Sequence, residues 1–169
     1  MADDVRSHQP GQRRTAWMLV AAQFALIGAV VLLPNGDVWP VPSWLRLVGT
    51  VGSWAGIVIM VVAGLALGRG LTAAPLPNAH AKLRTGGLNR FVRHPIYTGL
   101  LLFTLAQVAA SGSAWVALAG LLLIVLINAK ARWEEARLTE RFVEYPDYAR
   151  LTPRFVPLRV PRRNNSPNP

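Results

Sequence analysis

The sequence predicts an all-α fold: an integral membrane helical bundle of four transmembrane helices, the last running on as a cytoplasmic C-terminal extension. Three observations carry this prediction. Four apolar stretches recur along a chain that is 52% apolar; only 15% of its residues are charged, against about 25% in soluble domains; and its arginines crowd into alternate connections. A chain of this length has room for one domain, so residues 1–169 are read as a single unit.

The first span covers residues 15–33, TAWMLVAAQFALIGAVVLL. At about 1.5 Å per residue it is long enough to cross a hydrocarbon core of roughly 30 Å. A cleavable signal peptide is the rival reading, but no small-x-small cleavage site follows, and Pro34-Asn35-Gly36-Asp37 reads as a turn. The second span, residues 44–67, is rich in Gly and Ala, which suits close helix contacts in a bundle. The third, residues 95–110, is short. Ser111-Gly112-Ser113 then permits only a tight turn before the fourth, residues 114–131, so these two form an antiparallel hairpin with both open ends on one side. No helix breaker falls between Asn128 and Phe142, so the fourth helix is expected to continue beyond the bilayer. There is no internal repeat, and residues 1–14 and 161–169 are polar and rich in Pro or Asn, a composition expected to be disordered.

Charge orients the bundle. Arg6, Arg13 and Arg14 precede the first span, five basic residues from Arg69 to Arg93 fill the second connection, and Lys130, Arg132 and the arginines to Arg163 end the chain, whereas the opposite side holds only Arg46. The positive-inside rule therefore places both termini in the cytoplasm. Trp39, Trp44 and Trp115 fall at the outer interface and Trp17 and Trp133 at the inner one, in agreement. The net charge of +10 would suit nucleic acid in a soluble protein; beside hydrophobic spans it reads as a basic face against anionic lipid, with no nucleic-acid partner. Arginine far outnumbers lysine, as in GC-rich bacterial sequences, which suggests a bacterial cytoplasmic membrane. The absence of cysteine excludes disulfides and thiolate chemistry, and His8, His80 and His94 show no metal-ligand spacing.

Two polar clusters flank the hairpin's open end, where charged groups are expensive and persist mainly when partnered or functional. One is Arg93-His94-Pro95-Ile96-Tyr97. His94 precedes Pro95 and so sits outside the helix, while Pro95 suits its first turn; the imidazole and the Tyr97 hydroxyl then lie at a helix N-terminus, a place that attracts carboxylate or phosphate. Anchoring in the headgroup region explains the same residues without a ligand. The other cluster begins at Lys130. Lys130, Glu134 and Leu138 share one face, and Lys130 and Glu134 can pair, whereas Glu135, Arg137 and Arg141 are expected to point elsewhere. A solvated charged helix after a stop-transfer segment is the plainer account of this run. Phe142, Tyr145, Pro146, Tyr148 and residues 153–157 read as an irregular segment with aromatic anchors. Before both clusters, residues 73–77 should run extended, and Gly86-Gly87 allows a sharp turn or a close approach to a ligand.

Taken together, LRTGGLNRFVRHPIYTG and KARWEEARLTERFVEYPDYARLTPRFVP resemble the isoprenylcysteine carboxyl methyltransferase family and its bacterial phospholipid-methyltransferase-like relatives. The resemblance covers residues 83–157, with a cofactor-binding half from about residue 81. It implies a small membrane bundle that binds S-adenosylmethionine on its cytoplasmic side and methylates a lipophilic or prenylated acceptor entering from the bilayer. Carried over residue by residue, His94, Pro95, Ile96 and Tyr97 match the family's His-Pro-x-Tyr cofactor motif, and Glu134 matches its cofactor-binding acid. Ala81, Lys82, Leu83 and Arg84 align with the stretch lining the cofactor pocket; Asn89 stands where the family often has tyrosine. Lys130 stands where an arginine is implicated with substrate in the eukaryotic enzymes, so the resemblance assigns substrate binding to Lys130 and catalysis to Lys130 and Glu134. Lysine keeps the charge but lacks the bidentate fork. The family's Phe-Gly-x-x-Tyr is here Phe142-Val143-Glu144-Tyr145, shorter by one residue and without the glycine, so a lid built from it would close differently.

The expected function is thus methyl transfer to the carboxylate of an isoprenylcysteine-like or other isoprenoid substrate, with phospholipid headgroup N-methylation as the alternative. Sterol reductases share a similar hairpin and a related His-Pro-x-Tyr with a nicotinamide cofactor, but they carry Arg-Asp-Glu and Lys-Tyr-Gly-x-x-Trp where this chain has Trp-Glu-Glu and Phe-Val-Glu-Tyr. A non-catalytic lipid-binding protein is the third reading.

Overall fold

The structure, a computed structural model, describes residues 10–67, 83 and 85–157. Helix α1 is Pro10–Leu32, α2 Ser43–Leu67, α3 Pro95–Ser111, α4 Ala114–Arg141 and α5 Tyr145–Leu151, and among the described residues a 3-10 turn forms at Gly87–Arg90. The described residues contain no strand. Three helices (Arg14–Leu32 within α1, all of α2 and all of α4) are long and apolar enough to cross a membrane, and α3 is a shorter apolar helix. The protein is a helical membrane bundle. Its four long helices begin and end within a few residues of the expected limits, α1 starting earlier than residue 15.

The bundle is ordered by close backbone approach rather than by large side chains. Along α2, Gly49, Ser53, Gly56 and Ala63 are buried against α3. Gly56 and Gly99 face each other so closely that a Cβ built on either would lie 2.6 Å from the other's carbonyl oxygen. Small residues are what allow such contact where lipid offers no hydrophobic drive to associate. Gln107 of α3 donates to the Ser53 hydroxyl at 3.2 Å, adding a polar tie at the same seam. On the other side α1 packs on α4, and α4 also meets α3, so that Val30, Val116 and Ala119 form one small core and Leu100, Leu123 and Ile127 another. The faces turned outward carry Val51, Trp54, Val58 and Leu65 of α2 and Leu121, Leu122 and Val125 of α4, the surface a bilayer would cover.

One end of the bundle is closed by the α3–α4 turn. Gly112 takes a φ of 63° as the C-cap of α3, a left-handed conformation natural to glycine. The α1–α2 connection lies on that turn: Gly36 and Val38 donate backbone hydrogen bonds to Ser111 and Gly112 at 2.9 Å each, and Trp39 donates its indole N–H to Ala109. The opposite end, where α3 begins and α4 overruns the apolar region, carries the polar clusters.

Candidate functional site

At the start of α3, His94 is the N-cap and Pro95 opens the helix, as the sequence predicts. Proline cannot donate and so suits a first turn whose N–H has no helical partner. The chain just before it is held by residues 153–155. Arg93 N–H donates to Pro153 O at 2.9 Å, His94 N–H to Arg154 O at 3.2 Å, and the Thr98 hydroxyl to Phe155 O at 2.8 Å. This short ladder lays the post-α5 segment alongside the mouth of α3 as a strap. The His94 ring lies between two aromatic rings, stacked on Tyr97 with centroids 5.4 Å apart and tilted against Phe155 at 6.0 Å.

Opposite these groups, α4 presents two successive glutamates. Tyr97 donates its hydroxyl hydrogen bond to Glu134 Oε1 at 2.7 Å, and Glu134 Oε2 lies 3.6 Å from His94 Nδ1. Glu135 departs from the expectation that it points elsewhere. It is about 100° around the helix from Glu134, yet its Oε1 is 3.0 Å from His94 Nε2. It also accepts from Arg93 Nε at 3.1 Å and Arg154 Nε at 2.9 Å. The reason is that the imidazole sits between the two directions, with its Nδ1 edge toward one carboxylate and its Nε2 edge toward the other. Arg93 further donates to the carbonyls of Ala149 and Thr152. Glu135 is thus the node that ties α4, the α3 mouth and the strap together.

Lys130 lies one turn from Glu134 on α4 and is 3% exposed. Its ammonium donates to Gln23 Oε1 of α1 at 2.7 Å and sits 5.5 Å from the Tyr97 ring centroid. Lys130, Tyr97, Glu134 and His94 therefore form one connected polar column, joining the residues that the two motifs single out. Pro95 is buried and Ile96 half-buried at the base of the same turn. Asn89 is held through both side chain and backbone: its side-chain amide donates to Arg93 O at 3.2 Å, and its backbone carbonyl accepts the Tyr148 hydroxyl at 2.6 Å. Leu83 is half-buried, while Ala81, Lys82 and Arg84 lie outside the described residues, as do residues 1–9 and 158–169. Among the described residues no cluster of His, Cys, Asp or Glu is arranged to hold a metal ion.

The segment around Tyr145 and Tyr148, irregular by its sequence, is instead the short helix α5, with Pro146 in its first turn. Proline there is pre-set for helix, and the two-turn element is too short to leave a visible periodicity. Tyr145 is 3% exposed and meets Tyr148 edge-on at 5.9 Å; burial, reinforced by the nearby Glu135 charge, pushes its phenol well above the ordinary range. Burial also raises Tyr148, and the hydrogen bond to Glu135 raises the Arg154 guanidinium.

Sequence reasoning missed Arg154, Glu135 and Gln23 as members of this cluster. Gln23 had a usable signal, being the lone amide in the first apolar span. Arg154 had none beyond its place between two prolines.

The class is therefore a membrane bundle with an aromatic-lined His–Tyr–Glu cluster at one end of its hairpin. Residues 44–144 match the family model described as "Phospholipid methyltransferase", and this chain belongs to that family: it is a membrane methyltransferase. The match takes in α2, α3 and α4 with His94, Tyr97, Lys130, Glu134 and Glu135, and leaves out α1, α5 and the strap. No curated protein and no solved structure is detectably similar to the chain.

Proposed function

We propose that the protein transfers a methyl group from S-adenosylmethionine to the carboxylate of a lipophilic acceptor, an isoprenylcysteine-like or other isoprenoid acid. The observation that carries this reading is the convergence of Tyr97, Glu134 and His94 at the hairpin's open end with the buried Lys130 one turn further in. The donor set suits the cofactor. The Glu134 side chain is 21% exposed, more than the 12% of Glu135, and its carboxylate has capacity beyond the Tyr97 and His94 contacts for a ligand ammonium. His94, Pro95, Ile96, Tyr97 and Glu134 would hold the cofactor, with residues 81–84 and Asn89 completing the pocket. When bound, the sulfonium supplies an activated methyl group.

The residues need only place the two reactants. Transfer of that methyl to the acceptor oxygen would leave the carbon–sulfur electron pair on sulfur, as the thioether S-adenosylhomocysteine. A carboxylate is already ionised near neutral pH and gives up no proton, so positioning supplies the catalysis and no general base is required. Lys130 orients the anionic head; Glu134 anchors the donor. The basic residues at this end of the bundle support a site at the inner face of a bacterial cytoplasmic membrane, with both termini on that side.

The second reading, equally compatible with the family match, makes the acceptor the amine of a phospholipid headgroup. Direct binding tests the cofactor: S-adenosylhomocysteine should bind the purified protein, and His94→Ala or Glu134→Ala should weaken it at least about tenfold, or 1.4 kcal/mol. Unchanged affinity in both variants would overturn the assignment. Which lipids gain labelled methyl in membranes then separates acid from amine acceptors.

A further inference from the structure

Gln23 lies in the middle of α1, outside the residues that define the family, yet it reaches into the polar column. Lysine ammonium only donates, so the amide oxygen must be the atom facing Lys130 Nζ at 2.7 Å, which fixes the orientation of the amide. The NH2 group consequently points away from Lys130, and among the described residues it has no acceptor. An amide donor and an ammonium are thus held side by side, half-buried and buried respectively, where α1 packs against α4. Both are expensive to carry inside an apolar span. A purely structural contact with Lys130 would require only the oxygen; the adjacent N–H donors make the pair fit two anionic oxygens of one head group.

We infer that Gln23 and Lys130 together form the acceptor-head subsite, with Gln23 as the specificity-determining residue that selects an anionic head on a lipophilic molecule. The inference rests on the reading of Lys130 in the proposed function and extends it to a helix that the family match does not include. Gln23 contributes in two ways: its N–H donates to one anionic oxygen, and its carbonyl holds the ammonium in place for the other. The tail of the acceptor leaves along the apolar α1–α4 seam, where Leu26, Ile27 and Tyr97 pack around Leu123 and Ile127. The chemistry is shared by a carboxylate and by the phosphodiester of a phospholipid.

The test uses the full chain in nanodiscs with three probes: a farnesyl thioether carboxylate, the matching neutral carboxamide, and phosphatidylethanolamine supplied in the disc. S-adenosylhomocysteine affinity is measured alongside. The unmodified protein should bind the carboxylate at least about tenfold more tightly than the carboxamide, a difference of 1.4 kcal/mol. Gln23→Leu should reduce that preference several-fold. Gln23→Glu keeps an acceptor for Lys130 but places a negative charge beside the head, and should abolish or invert the preference. Both variants should keep S-adenosylhomocysteine affinity within about twofold, showing that they fold. If phosphatidylethanolamine displaces the carboxylate and Gln23→Glu prevents this, the head is the phosphodiester and the subsite stands. A Gln23→Glu variant that retains the carboxylate preference, or an unmodified protein with no preference, overturns the inference. Failure of S-adenosylhomocysteine to bind any form would instead overturn the methyltransferase cofactor reading, leaving the anion preference to be judged separately.

Discussion

Replacing Glu135 by glutamine removes one negative charge from the node that joins α4, the α3 mouth and the strap while preserving its shape. Glu135 and Arg93 side chains are each 12% exposed and Arg154 27%, so these contacts are only partly screened by solvent. A hydrogen bond to a charged group contributes about 1.5–3 kcal/mol, and Glu135 receives them from two arginines besides its contact with His94. The substituted amide would retain one acceptor oxygen, and Arg93 keeps the carbonyls of Ala149 and Thr152. Arg154 has no such second anchor among the described residues. Allowing for its exposure, the net loss is about 2–4 kcal/mol. At about 2–4 °C per kcal/mol for a chain of this size, the midpoint of thermal unfolding should fall by roughly 5–15 °C. Tryptophan fluorescence of the detergent-solubilised protein reads this directly. Arg154→Met should be much less damaging in the Glu135→Gln background than alone, with a coupling of at least about 1 kcal/mol. Glu134→Gln, which weakens mainly one hydrogen bond from Tyr97, should cost only about 1 kcal/mol. A Glu135→Gln midpoint within about 2 °C of the unmodified protein, or strictly additive effects with Arg154→Met, would refute the node.

Three other outcomes follow from the packing and the composition. Gly99→Ala should destabilise the bundle by about 1–3 kcal/mol in the same assay, since the added Cβ would meet Gly56 O at 2.6 Å and backbone cannot swing aside; an unchanged midpoint would show that α2 and α3 do not pack this closely. Tyr145→Phe should leave thermal stability unchanged or raise it by up to about 1 kcal/mol, because the buried hydroxyl has no hydrogen-bond partner among the described residues, and a clear loss would reveal one. The chain has no cysteine, so Asn35→Cys and Val143→Cys each create a unique thiol at an exposed position. A membrane-impermeant maleimide should label position 35 in intact cells and position 143 only after permeabilisation; the reverse would invert the orientation drawn from the arginines.

The spans were legible because each is written in consecutive residues: a run of apolar side chains long enough for a bilayer, ended by Pro34, by Ser111-Gly112-Ser113 or by the charges after Ala131. The start of α3 was legible for the same reason, since Pro95 sets its own φ and forbids the helix an earlier beginning. Residues 94–97 and 134 could be picked out as one cluster because a single tight hairpin leaves their two segments nowhere else to go. What the sequence left open was every contact that crosses the hairpin's boundaries. That α2 packs on α3 and α1 on α4 depends on which small-residue faces meet, as at Gly56 and Gly99, and no single helix records its partner's face. Glu135 looked turned away because helix geometry gives directions on α4 alone. Only the docked structure puts the His94 ring between those directions, and only the fold of α5 returns Arg154 to the same carboxylate. Gln23 and Lys130 are 107 positions apart, and their meeting is a property of how two helices pack, which local periodicity does not encode.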